Sequence, residues 1–413
     1  MKNANPLKRC HLTTASQKKT YRLLTLAALL LGLGVPTLAQ NITDSAPNAD
    51  VPTVPQATTN VENSNYGVVP WTEGTLQDAL KQASSGTTIP MSPYAFASTK
   101  DKTIRIIALV GGNPIAPLPT TIDVVVIPLK IFIGADVFDP TAPNSCDGGV
   151  SALTRLKQSP LVVASKQVFN GVNVGTYQYI NGFMRAEFWK QIAASPNYSN
   201  TLKWSYAPEI GLLPGSSFAI TSGKGCTKLG VINRTWLDDT VKLWIPVLQS
   251  TGVISPTKLA VFLLNNVVQS SAVPPSITKC CVYGYHGAVG SPVQTYSAMD
   301  YDTTGRIPTD VSVPAHEIGE WMNDPLGNNA TPKWGHIGQV SGCQGNFEVG
   351  DPLTGTNMPA IKLSGHEYHV QELAFFSWYY NADSTPSLGA GGKFSGNGTF
   401  KGPSKDCPPG GTF

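Results

Sequence analysis

The stretch SVPAHEIGEWMNDPLGN, residues 312–328, decides how this chain is read. His316 is followed at once by Glu317 and, four residues on, by Glu320. Thr309 or Asp310 stands where a helix cap is wanted. On a helix, residues four apart project from one face, so His316 and Glu320 can grip a single ion. Glu317 points about 100° further round. It need not be a ligand, and from there it can act as general base on an attacking water.

Helices of the form H-E-x-x-H supply two zinc ligands and a base. Here a Glu replaces the second His, and zinc accepts carboxylate oxygen as well as imidazole nitrogen, so Glu320 is chemically permitted. A third ligand is expected in CQGNFEVGDPL, residues 343–353, where Glu348 lies 28 residues beyond Glu320. Asp351 in the same segment can orient His316 or another ligand by hydrogen bonding. Asp324, one turn past Glu320, suits either a ligand or a second helper of this kind. One imidazole and two carboxylates neutralise a divalent ion, which leaves zinc as the first choice and admits manganese or calcium. The composition clusters here too. Of nine Glu in the chain, five fall between 317 and 372, and so do His316, His336, His366 and His369. His286, in GYHGAV, and Tyr368 are candidates to stabilise an oxyanion, and His286 also suits a cleft wall. An ordinary helix pair of His316 with Glu320, without metal, stays open. His366 and His369 suit structural roles, the nearby Trp and Phe residues suit the core, and DYDTTG (300–305) is a weak calcium signal.

The chain has 413 residues, 41% hydrophobic and only 13% charged, with 40 Gly and 33 Pro. That mixture suits a loop-rich extracellular protein. Six basic residues precede the apolar run LLTLAALLLGLG (23–34), and VPTLAQ follows with small residues at a cleavage position. Residues 1–39 are therefore expected to be a signal peptide, giving a secreted, periplasmic or cell-surface protein. The run is too short to span a bilayer. Its removal leaves 23 Lys+Arg against 26 acids, a net charge of about −3, and no basic patch that argues for nucleic acid. Six cysteines remain: Cys146, Cys226, Cys280, Cys281, Cys343 and Cys407. An even number in an exported chain predicts disulfides. Adjacent Cys280 and Cys281 are not expected to pair, so Cys146 with Cys226, and one of the adjacent two with Cys343, are the favoured bridges.

Residues 40–72 lack an apolar period and are expected to be a disordered linker. A single domain is expected over 73–385, with 255 as the place for any subdivision, and a Gly/Pro/Ser-rich tail over 386–413. Helices are expected at 76–83, 180–195, 234–252 and 368–381, and strands at 103–111, 121–134, 258–268 and 293–302. Strands first, then a motif helix, then a later acid, give an α+β fold with a mixed sheet and an active-site helix, loop-rich and disulfide-bonded.

Two resemblances follow from these residues. CCVYGYHGAV, HEIGEWMNDPLGN, Trp334 and NFEVGDP resemble the secreted phosphate-induced, or exordium-type, proteins over about 280–352. Position by position the likeness covers His286, His316, Glu317, Glu320, Asp324, Pro325, Trp334, Glu348 and Asp351. Pro352 stands where that family has a Cys, so its disulfide scheme does not carry over. The same motif is similar to that of the zincin metallopeptidases, which implies a zincin-like fold and a metal-dependent hydrolase acting on a peptide or protein. Two rivals are carried forward. One is a non-catalytic extracellular protein with a structural metal or acid cluster. The other is a glycoside hydrolase with paired carboxylates.

Overall fold

The computed structural model describes residues 66–221, 227–305, 310–335, 343–354, 357–380, 387–388 and 392–404. All of them lie in one compact unit, Thr53–Phe413, which runs through residue 255 undivided. The expected signal peptide lies outside the described residues.

The fold is α+β, with seven described helices: α1 Leu76–Ser84, α2 Ala152–Gln158, α3 Tyr179–Glu187, α4 Trp189–Ile192, α5 Arg234–Ser250, α6 Ser312–Asn323 and α7 Phe376–Tyr380. Its main sheet is mixed. The strands are β1 Tyr66–Val69, β2 Pro119–Ile133, β3 Asp136–Phe138, β4 Ser199–Tyr206, β5 Ile210–Leu212, β6 Lys258–Asn265, β7 Gly284–Val289 and β8 Gln294–Tyr301. The order is β1-β7-β8-β6-β2-β3, and β4 and β5 also pair with β2. β6 runs parallel to both β2 and β8, while β7 and β8 form an antiparallel hairpin.

Strict alternation explains why the central strands are apolar throughout. Leu259, Val261 and Leu263 of β6 enter one core, and Ala260, Phe262 and Leu264 enter the other. A strand covered on both faces has no side to give to polar residues. Leu237, Val241, Ile245 and Leu248 of α5 close one face. Val313, Ile318, Trp321 and Met322 of α6 belong to the core on the other face. All twelve residues of α6 are buried, so any polar side chain it carries must find its partner inside the protein.

Several expectations change. Residues 66–71 are not linker: β1 pairs in parallel with β7, and Trp71 is buried with Nε1 donating to the Gly290 carbonyl at 2.9 Å. Within the expected tail, Phe394 is buried, Ser395 bridges to Ala374 and Phe400 stacks on Trp378. The helix expected over 368–381 shrinks to α7. Upstream of it His366–His369 is a strand, and the N–H groups of Val370, Glu372 and Ala374 donate laterally to Pro359, Asn357 and Val349 rather than along a helix. The disulfide expectation is corrected as well. Cys280 bonds Cys281, across a cis peptide that sets their Cα atoms 3.0 Å apart, so neither is available to Cys343. Cys146 and Cys343 are both disulfide-bonded, and Cys226 and Cys407 lie outside the described residues. Among the described residues no helix is long and apolar enough to cross a membrane.

Candidate metal centre

α6 starts without a side-chain cap of its own. Its first residue follows Val311, whose N–H donates to Asp310. Asp310 is thus not the cap residue, and Thr309 lies outside the described residues. Asp310 also accepts the His369 N–H at 2.9 Å and faces His369 Nδ1 at 2.7 Å, tying the strand 366–369 to the start of the helix. α6 stops at Asp324, ahead of Pro325, whose ring disfavours a helical residue before it. The Asp324 carboxylate then accepts N–H groups from Asn328 and Asn329 at 2.9 Å each.

His316 and Glu320 face each other one turn apart, with His316 Nε2 2.9 Å from Glu320 Oε1. The same oxygen accepts the N–H groups of Gly350 and Asp351 at 3.1 Å. That brings the segment 343–354 over the helix. Gly350 is required there, because a Cβ would lie 2.4 Å from His316 Nδ1. Asp351 Oδ2 accepts from Gln344 Nε2 at 2.6 Å, which leaves Oδ1 without a hydrogen bond, 3.7 Å from His316 Nε2. β7 supplies His286 from the sheet. Its Nε2 lies 3.1 Å from the Asp324 carbonyl, and its Nδ1 lies 3.5 Å from Glu317 Oε2 and 3.8 Å from Glu320 Oε2. Gly284 lets the strand come this close, since a Cβ there would meet Glu317 Oε1 at 2.6 Å.

Ligand atoms gather into two groups, each within 4.8 Å: His316, Glu320 and Asp351, and His286, Glu317 and Glu320. Glu348 belongs to neither. Its Oε1 accepts from Asn346 Nδ2 at 2.8 Å, its carboxyl faces those of Glu320 and Asp324, and Oε2 lies 3.8 Å from His286 Nε2. Asp351, expected as a helper, takes the place beside His316 and Glu320 that had been given to Glu348. Tyr368 is elsewhere, in the field of Arg155, Asp147 and Asp310, and His366 packs on its ring. Trp334 is core, edge-on to Trp378 and Tyr379. His336 lies outside the described residues. Asp302 caps its own turn by accepting from the N–H and hydroxyl of Thr304.

One residue had escaped the sequence reading. Gln371 Oε1 lies 3.0 Å from His316 Nδ1, and Gln371 Nε2 donates to the Gly350 carbonyl at 2.6 Å. The second bond fixes the amide's orientation, so Nδ1 of His316 donates to Gln371 and Nε2 is the nitrogen that faces Glu320 and Asp351, as a donor without an ion and as a ligand with one. Nothing in the spacing around 371 signals this, because the contact spans 55 residues.

Five carboxyls and two imidazoles thus share a site where every one is 0–4% exposed. Burial pushes Glu317 well above the usual carboxylate range, and the charges of Glu320 and Asp351 add to this. Burial and Glu320 raise Glu348 as well, and bring Asp351 up to about 7. Asp324 is pushed up by burial to about 6. Glu320 goes the other way: burial raises it, but His316 outweighs that and holds it below its ordinary value. Burial lowers His286 to about 4. His316 is raised, because Glu320 and Asp351 outweigh the opposing effect of burial. Buried carboxylates in such number are stable only if protonated, paired or bound to a cation. Both oxygens of Glu317, Nδ1 of His286 and Oδ1 of Asp351 have no hydrogen-bond partner among the described residues. These buried His, Glu and Asp groups can hold a metal ion.

No family model, curated protein or solved structure matches the chain.

Proposed function

We propose that this protein is a secreted metal-dependent hydrolase of the zincin type, acting on peptide or protein amides. His316 through Nε2, Glu320 and Asp351 hold the ion. The donor set, one imidazole with two carboxylates, suits zinc first and manganese next, while the nitrogen donor disfavours calcium. An ion bound there would supply a Lewis acid to polarise the amide carbonyl and make water more acidic. Glu317 takes a proton from the attacking water as the C–O bond forms. It returns the proton to the amide nitrogen as the C–N bond breaks, so the products are a carboxylate and an amine.

The observation that carries this reading is Glu317 itself. It is wholly buried, it neighbours the ligand His316, and neither of its oxygens takes a hydrogen bond among the described residues. A structural acid in that position would be expected to have partners. Glu317→Gln should keep the ion and lower kcat on a mixed-peptide substrate by about 100-fold or more. Full activity in that variant would remove Glu317 from the chemistry.

One observation favours a second reading. The whole cluster is buried, as suits an ion that staples a loop-rich, exordium-like extracellular protein without turnover. That reading predicts bound metal, no peptidase activity, and loss of stability on chelation. The glycosidase reading gains no such support, since it needs two carboxyls facing each other across an open cleft.

A further inference from the structure

We infer that the cluster takes a second divalent cation, held by His286 Nδ1, Glu317 and Glu320, so that Glu320 bridges two ions. The inference rests on the first ion's site as assigned above.

His286 provides the main argument. Its Nε2 is 3.1 Å from the Asp324 carbonyl. A carbonyl only accepts, so Nε2 carries the proton and Nδ1 presents a bare lone pair. That nitrogen has no hydrogen-bond partner among the described residues, and it looks at Glu317 Oε2 from 3.5 Å and Glu320 Oε2 from 3.8 Å. Three electron-rich atoms converge in a buried site. A cation makes the arrangement favourable, and a transition-metal ion accepts one imidazole and two carboxylates.

The two halves are also built alike. His316 is oriented through Nδ1 by Gln371 and offers Nε2 to Oε1 of Glu320. His286 is oriented through Nε2 by a backbone carbonyl and offers Nδ1 to Oε2 of the same carboxylate. Each group has its ligand atoms within 4.8 Å. Charge points the same way. Glu317, Glu320, Asp324, Glu348 and Asp351 are all buried, and a single divalent ion would offset only two of their five charges when ionised. Two ions offset four.

Occupying the second site engages Glu317, the base of the proposed reaction. The first ion should therefore switch hydrolysis on and the second switch it off, making the enzyme sensitive to the metal level outside the cell.

The test is equilibrium dialysis of the metal-free full-length protein against buffered Zn2+, with zinc per chain read by mass spectrometry. Wild type should fill in two steps to two ions, and His286→Gln should stop at one. Wild type saturating at one ion overturns the second site and leaves the first intact. Two ions in both proteins place the second ion away from His286 and also overturn it. No bound zinc in wild type overturns both assignments. The wild-type stoichiometry decides the matter even if the variant folds poorly.

Discussion

Gln371 holds His316 in register: its Oε1 lies 3.0 Å from the imidazole Nδ1 while its own Nε2 donates to Gly350 at 2.6 Å. The contact sets which ring nitrogen faces the acids. Gln371→Met keeps the volume and removes both bonds. It should weaken ion binding by about 10–100-fold, the usual effect of losing a group that orients a ligand. Chelator competition measures it, and unchanged affinity would mean that the ring is held by other contacts.

Asp351 and Glu348 compete for the third ligand position, and the geometry favours Asp351. Asp351→Asn should therefore strip the ion at chelator concentrations that wild type resists. Glu348→Gln should retain it. The reverse pattern would restore Glu348 as the ligand.

Gly350 packs flat on the His316 ring. A Cβ there would lie 2.4–2.6 Å from Nδ1, Cε1 and Cγ. Ring and backbone must both give way in Gly350→Ala, at a cost of about 1–3 kcal/mol, with loss of the ion. Thermal melts of the metal-free and loaded variant separate the two effects.

The metal-free protein should have an unusual pH dependence. Asp324 and Asp351 are raised by burial to about 6 and about 7. An acid whose pKa is raised by folding lends stability below its unfolded value, near 4. That stability drains away as pH rises through the folded value. The chelated protein should therefore lose Tm steadily from about pH 5 to pH 8. Loading with zinc should flatten the curve, since the ion stabilises the ionised carboxylates. A metal-free protein that gains stability over this range would contradict the assigned environment.

Much of this was written locally in the sequence. The two-faced apolar strands β2 and β6, the amphipathic α5 ending before Gly252, and the pairing of His316 with Glu320 all follow from periods of two or 3.6 residues. What escaped was non-local. A four-residue strand at 66–69 exists because β7 offers it an edge. Asp351 outranks Glu348 because Gln344 and the fold of 343–354 turn it inward, and three residues of spacing cannot say which acid that will be. Gln371 was hidden for the same reason, lying in an aromatic run that has helical spacing yet is mostly extended.

The most direct test of the central claim is the metal content of the purified protein after exhaustive dialysis, beside a His316→Ala/Glu320→Ala double variant of matched circular dichroism. The account predicts at least one tightly held zinc per chain in wild type and none in the variant. Metal-free wild type with a normal melting transition, or a variant that binds as much zinc as wild type, would contradict it.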